Sequence, residues 1–215
     1  LNRAADDVDW TMLADPPARA GQPRQAAGRR AASGLGLVPR RLQGLGELWK
    51  WPLAHADLAA RIAGVHAPYH RAIEHELAEL RDRWGAALLI DLHSMPPLGD
   101  KSGADPVPDI VVGDRFGGAC GAALVSAALA FLEGRGVRAA LNRPYAGGYV
   151  LDRHGAPARG VHAVQIEVCR AAYLDAAMIG PGDGLEAMAG VLTELVRHLA
   201  DVLVQGAGPL ALAAE

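Results

Sequence analysis

Cysteine is almost missing from this chain: of 215 residues only Cys120 and Cys169 carry a thiol. Both lie in apolar segments, so they read as reduced core residues. That excludes a disulfide scaffold, a CxxC redox motif and a cysteine-built metal centre. Long hydrophobic runs are missing too. None reaches the ~18 residues of a membrane span, and no secretory leader stands out, so no membrane partner is expected and the cytoplasm is the expected compartment. Charge of one sign is not in excess: 21 basic against 24 acidic residues leave a net charge of −3. A protein that holds nucleic acid by bulk electrostatics needs a basic surplus, so nucleic acid is not an expected partner. There is no Gly-rich phosphate loop and no nucleophile elbow. Gly113-Asp114-Arg115-Phe116-Gly117-Gly118 precedes a helical stretch whose start could receive an anion, but it lacks the Walker lysine.

What is present is an apolar majority. Hydrophobic residues make up 51% and charged residues 21% of the chain, enough to build the core of one α/β domain and too apolar for global disorder. The segment 15–52, rich in Pro, Gly, Arg and Ala, has loop composition. Its arginines Arg29, Arg30, Arg40 and Arg41 read as a solvated loop before they read as a phosphate patch. The chain opens Leu1-Asn2-Arg3 without a methionine and is expected to be N-terminally incomplete. No internal repeat is visible, and the oligomeric state is not legible.

The organising stretch is Ala86 to Pro97, AALLIDLHSMPP. Five apolar residues read as a buried strand, Ala86 to Ile90, with the polar cluster Asp91-Leu92-His93-Ser94 at its carboxyl end. Ligands of open α/β sheets bind at such ends. Val161 to Val168 reads as a second strand, with Gln165 and Glu167 near its end. Between and around them, Leu58 to Trp84 reads as a helix with a break near Pro68, Gly118 to Leu132 and Leu185 to Val204 as helices, and Ile110–Val112 and Val137–Leu141 as short strands. Asn142 to Gly160 reads as one long turn-rich segment. Strands alternating with helices predict a layered α/β domain.

His93 is read as either a structural group or a metal ligand whose second nitrogen is fixed by Asp91 or a backbone carbonyl. Glu167, among buried strand residues, must be paired, liganded or protonated. It suits a general base, and a salt bridge to Arg170 is the rival reading. His66 and His70 stand at i,i+4, and His70 to His75 approaches an inverted zincin motif with one residue too many between His and Glu. His66, His70 and His75 are therefore expected on a solvated helix face. Arg143, Arg153, Arg159 and Arg170 cluster in sequence around the second strand, and arginine grips carboxylates bidentately. Asn2 and Arg3 could do the same work, and a surface role fits them equally.

Taken together, Asp91-Leu92-His93-Ser94-Met95-Pro96, Pro108-Asp109-Ile110-Val111-Val112-Gly113-Asp114, Asn142-Arg143-Pro144-Tyr145-Ala146-Gly147-Gly148-Tyr149 and His162-Ala163-Val164-Gln165-Ile166-Glu167-Val168-Cys169-Arg170 with Tyr173-Leu174 resemble the N-formylglutamate amidohydrolase family. The resemblance runs from Leu1 to about Asp175. It implies a three-layer α/β/α fold with a mostly parallel mixed sheet of the phosphorylase/hydrolase, zinc carboxypeptidase-like kind, and a single amidohydrolase domain over 1–215. It also implies a zinc-dependent enzyme that hydrolyses an N-acyl amino acid, foremost N-formyl-L-glutamate to formate and L-glutamate. The partner would be that small anionic substrate. His93 would be a Zn2+ ligand and Glu167 the general acid/base. Asn2 and Arg3 would grip the substrate carboxylate, with Arg143 and Arg153 as further substrate contacts. The family's other zinc ligands come from a Pro-His-(Ser/Ala)-Gly motif that these residues do not contain, so weak or absent zinc binding is expected. A non-catalytic carboxylate-binding or interaction domain and a carboxypeptidase-like peptidase are the alternative readings.

Overall fold

The computed structural model describes residues 1–16, 29–42, 44–99 and 107–206. The chain falls into two compact units, Leu1–Glu74 and His75–Glu215. Part of the expected irregular segment, residues 17–28 and Gln43, lies outside the described residues, as do Gly103 and Pro106 of the loop after Pro97.

The first unit is built around a small apolar cluster of Val8, Met12, Leu13, Leu53 and Leu58, with Trp10, Leu37, Val38 and Ile62 packed on it. Its regular elements are short: a 3-10 turn Trp10–Met12, helix α1 (Arg29–Ala32), a two-stranded antiparallel hairpin of β1 (Arg41–Leu42) and β2 (Gly46–Glu47), and helix α2 (His55–Arg61). So little apolar surface leaves polar contacts a large share of the work. Asp9 is 5% exposed. It caps the 3-10 turn by accepting from Thr11 N at 3.1 Å and pairs with Arg40 Nε at 2.8 Å. Burial alone would raise the Asp9 carboxyl, but the hydrogen bonds from Thr11 and Arg40 outweigh it and hold the carboxyl below its ordinary value.

Helix α3 (Ala67–Trp84) continues α2 through a π turn, Ile62–His66. The expected break near Pro68 is therefore absent, and the helical stretch starts earlier, at His55. Pro68 has no N–H to give Gly64, and its ring would crowd that carbonyl in a regular helix. The wider turn, closed by Ala67 N–H to Ile62 O, makes room. Gly85, at φ +79°, then ends the helix in a conformation that suits glycine.

The second unit has an α/β fold with a mixed sheet in the order β3-β6-β4-β5. These strands are β3 (Ala87–Met95), β4 (Ile110–Gly113), β5 (Ala139–Leu141) and β6 (Val161–Cys169). β3 pairs parallel with β6 and β4 parallel with β5, while β4 and β6 run antiparallel. Helices α4 (Ala122–Gly134) and α6 (Leu185–Gly206) cover one face. Their cluster takes Leu88, Ile90, Ile110, Val112, Val164, Ile166 and Val168 from the strands. Helix α5 (Tyr149–His154) packs on the other face. It forms inside the stretch Asn142–Gly160 that reads as turns in sequence, because six residues are too few to show a helical period. Among the described residues no helix is long and apolar enough to cross a membrane, and both cysteines are free and buried.

Because Asp9 is held ionised in the folded chain, it adds stability above the unfolded carboxylate pKa of about 3.9, and that stability is lost as pH falls through its lower folded value. Arg40→Met is expected to cost about 1.5–3 kcal/mol at pH 7, shrinking towards zero near pH 2. Urea denaturation at the two pH values measures this. An equal loss at both would contradict the assignment.

Candidate functional site

Side chains alternate across a strand, and paired residues of neighbouring strands point to the same face. The register sets Asp91 beside Gln165 and His93 beside Glu167. All four therefore emerge on the α5 face. Along that face they lie between two apolar clusters. Leu89 and Ala163 join Ala119, Val150 and Leu151 on one side. Met95, Val111 and Cys169 join Leu98, Ala140 and Tyr145 on the other. The polar group thus sits within β3 and β6, not beyond a strand end as the apolar run Ala86–Ile90 predicts. Both strands outlast their apolar stretches, because backbone pairing of β3 with β6 continues to Met95 and Cys169.

Exposure grades across this quartet. Gln165 and Glu167 on the inner strand are 4% and 9% exposed, whereas the His93 side chain on the edge strand is 35% exposed. The group therefore opens towards β3. His93 Nε2 lies 3.0 Å from Asp91 Oδ2, which fixes the ring and uses the nitrogen that faces it. Gln165 Nε2 donates to Glu167 Oε1 at 2.8 Å, which leaves Oε2 outside that bond. Burial pushes the Glu167 carboxyl above its ordinary value. His93 and Arg170 pull it down, Asp91 adds to the rise, and burial prevails. Arg170 is not committed to a salt bridge in the way the rival reading requires, since its Nε points at Ser94 Oγ, 3.4 Å away. A cavity of about 390 Å³ borders His93 on the opposite, α6 side of β3, walled mainly by Leu92, Val168, Met188 and Leu192.

A second buried polar pair braces the neighbouring loop. Asn142, at φ +60°, donates from Nδ2 to Asp114 Oδ1 at 2.6 Å and accepts from Asp114 N at 3.0 Å. This ties the ends of β4 and β5 together. Asparagine tolerates the left-handed conformation because its short side chain bonds locally. The following segment then crosses at Gly113, where a Cβ would lie 2.7 Å from Ala146 C. Gly113 is the partner of Gln165, so the strap lies next to the quartet. Sequence reading met Asp114 and Asn142 inside the family motifs and gave neither a role of its own.

No other candidate belongs to the quartet. Arg143 is exposed, and Arg153 Nη1 donates to the Tyr149 hydroxyl at 3.4 Å. His162 lies on the α4 side, where Nδ1 accepts from Gly121 N at 3.1 Å, and burial holds its pKa below the usual range. Asn2 and Arg3 belong to the first unit. His75 is on a solvated face as expected, 3.4 Å from Glu79. His66 and His70 are not. They are 7% and 1% exposed, because their Nε2 atoms meet the carbonyls of Arg3 at 2.9 Å and Leu1 at 3.1 Å. Spacing placed them on one helix face, but only packing shows that this face is covered. Among the described residues no group of three His, Cys, Asp or Glu gathers to hold a metal ion.

The family model for N-formylglutamate amidohydrolase matches residues 1–174. An N-formylglutamate deformylase of Pseudomonas aeruginosa is 36% identical over 145 residues, covering 64% of this chain and 53% of that protein. Another, from Pseudomonas putida, is 31% identical over 152 residues, covering 67% and 55%. The crystal structure of N-formylglutamate amidohydrolase from Ralstonia eutropha JMP134 superposes with a TM-score of 0.76 at 28% identity, covering 96% of this chain and 71% of that one. The chain spans about half the length of the curated relatives it matches.

A buried carboxylate whose pKa is raised on folding withdraws stability as pH rises from the unfolded to the folded value. Glu167→Gln is thus expected to melt above the parent chain at neutral pH, by about 2–4 °C for each kcal/mol relieved, with the gap closing below pH 4. Scanning calorimetry across that range checks it, and a variant that melts lower at pH 7 would show the carboxylate to be a structural partner.

Proposed function

This chain belongs to the N-formylglutamate amidohydrolase family, and from that membership we propose that its site serves hydrolysis of the amide bond of N-formyl-L-glutamate, giving formate and L-glutamate. The observation that carries the proposal is the pairing of His93 with Glu167 across two parallel strands. A proton-exchanging carboxyl and an imidazole stand abreast on rigid elements, which is what positions groups for acid/base work. Glu167 takes a proton from the attacking water at Oε2 and returns it to the leaving amine nitrogen. Its raised pKa brings it closer to the range where a carboxyl can do both. Gln165 keeps Oε1 occupied, so the exchanging oxygen is defined. Asp91 orients His93. Asn2 and Arg3 in the first unit, and more weakly Arg143 and Arg153 in the second, are each proposed as binders of substrate carboxylate.

The family resemblance implies zinc, with His93 as a ligand. A catalytic zinc takes about three protein ligands. Here His93 offers one imidazole whose Nε2 is engaged by Asp91, and no third donor joins it among the described residues. The donor set does not fit a catalytic zinc, and no step is drawn through the metal. This disagreement favours, as second reading, a carboxylate-binding domain that no longer turns substrate over.

Release of formate from N-formyl-L-glutamate by the purified chain tests the proposal, with Glu167→Gln expected to lower kcat about 10²–10⁴-fold and to change KM little. Elemental analysis is expected to find zinc well below one atom per chain. Binding of the substrate without turnover would support the second reading. Turnover that a chelator abolishes would overturn the account of the donor set.

A further inference from the structure

The pair His66 and His70 has no part in the acid/base chemistry, yet it is among the most buried polar groups of the first unit. The two rings sit one helical turn apart, their centroids 4.5 Å from each other at an interplanar angle of 55°. Each Nε2 lies against a main-chain carbonyl, His66 on Arg3 O at 2.9 Å and His70 on Leu1 O at 3.1 Å. A carbonyl can only accept, so both Nε2 atoms carry the proton and donate. This commits one nitrogen of each ring to the main chain and assigns the pair a task of its own. It grips the backbone on both sides of Asn2.

The segment so held ends in a guanidinium with no acidic partner. Arg3 donates from Nε to Leu35 O at 3.1 Å and from Nη1 to Asn2 O at 2.5 Å. Among the described residues no carboxylate pairs with it, and Nη2 is left over. Its charged surroundings are Arg30 and Asp7. Burial and Arg30 pull its pKa down, and Asp7 pushes it up. A half-buried guanidinium within electrostatic reach of a second arginine gains from an added anion, and a carboxylate matches its planar donors. The clamp removes backbone freedom from the residues that would otherwise have to be ordered on binding.

We infer that His66 and His70 are positioning residues that fix the Leu1–Arg3 backbone so that Asn2 and Arg3 present a preformed carboxylate-binding group. The inference rests on the reading of Asn2 and Arg3 as substrate-carboxylate binders given above. The histidines act through the carbonyls and do not touch the ligand. Their replacement is therefore felt only where Arg3 is present to be positioned.

The experiment is a double-mutant cycle on the 215-residue chain carrying Glu167→Gln, which suppresses turnover, read by calorimetric or NMR titration with N-formyl-L-glutamate. Arg3→Ala is expected to weaken binding about tenfold or more, a loss of roughly 1.4 kcal/mol or above. His66→Phe, which keeps the bulk and removes the donor, is expected to weaken it about three- to tenfold, and His66→Gln, whose amide can donate to the same carbonyl, to restore most of it. In the Arg3→Ala background His66→Phe should change nothing further. His70→Gln against His70→Phe repeats the test at the more deeply buried site, with circular dichroism reporting whether each variant folds. Wild-type affinity in His66→Phe, or an equal loss with and without Arg3, would overturn the positioning role while leaving Arg3 as a binder. Unchanged binding in Arg3→Ala, or no binding by the parent chain, would overturn the carboxylate reading and the inference with it.

Discussion

The parallel register between β3 and β6 is the constraint on which the candidate site depends. Nine consecutive pairs, Ala87 with Val161 to Met95 with Cys169, bring His93 level with Glu167 and Asp91 level with Gln165. A slip of one residue would turn one member of each pair to the α4/α6 face and separate them. The register is held by what surrounds the polar residues. Leu88 and Ile90 of β3 and Val164, Ile166 and Val168 of β6 lock the opposite face into the main core, and the small clusters before and after the quartet pin its own face. The apolar pattern thereby keeps four polar side chains where desolvation would otherwise disfavour them.

That placement has an electrostatic consequence. A carboxyl in the interior is costly to ionise unless it is hydrogen-bonded and near positive charge. Glu167 has the Gln165 amide on one oxygen and the His93 and Arg170 side chains within electrostatic reach, but Asp91 opposes them and burial prevails. The result is a carboxyl displaced towards the pH range in which it can both take and give a proton. The strap tied down by Asn142 and Asp114 passes beside Gln165, and it approaches because Gly113 has no side chain to hold it off. Asp9 in the first unit shows the opposite balance. It too is buried, but Thr11 and Arg40 satisfy it fully enough to keep it ionised. Two buried carboxylates thus end with opposite shifts because their hydrogen-bond donors differ.

The histidines of the first unit carry a related lesson. His66, His70 and His75 share one helical segment, the first two at i,i+4 and the third five residues on. His75 is solvated beside Glu79, while His66 and His70 are closed over by the Leu1–Arg3 backbone. The partner atoms are main-chain carbonyls more than sixty positions away, and carbonyls leave no mark in a sequence.

What the sequence determined by itself follows from local composition and periodicity. The apolar runs of β3 and β6, the alternation of strand-like and helix-like stretches, and the motifs of the family made the α/β class, most elements, and His93 and Glu167 as candidates legible. Element limits were less so. β3 runs through its polar residues because strand pairing, not hydrophobicity, decides where a strand stops, and α5 was too short to announce itself. Only the tertiary structure decided which side chains meet: Gln165 on Glu167, Asp91 on His93, Asn142 on Asp114, and two imidazoles on the backbone of Leu1 and Arg3. Those contacts join residues distant in sequence or turn on which face of a strand is buried, and both are fixed only when the register and the packing are.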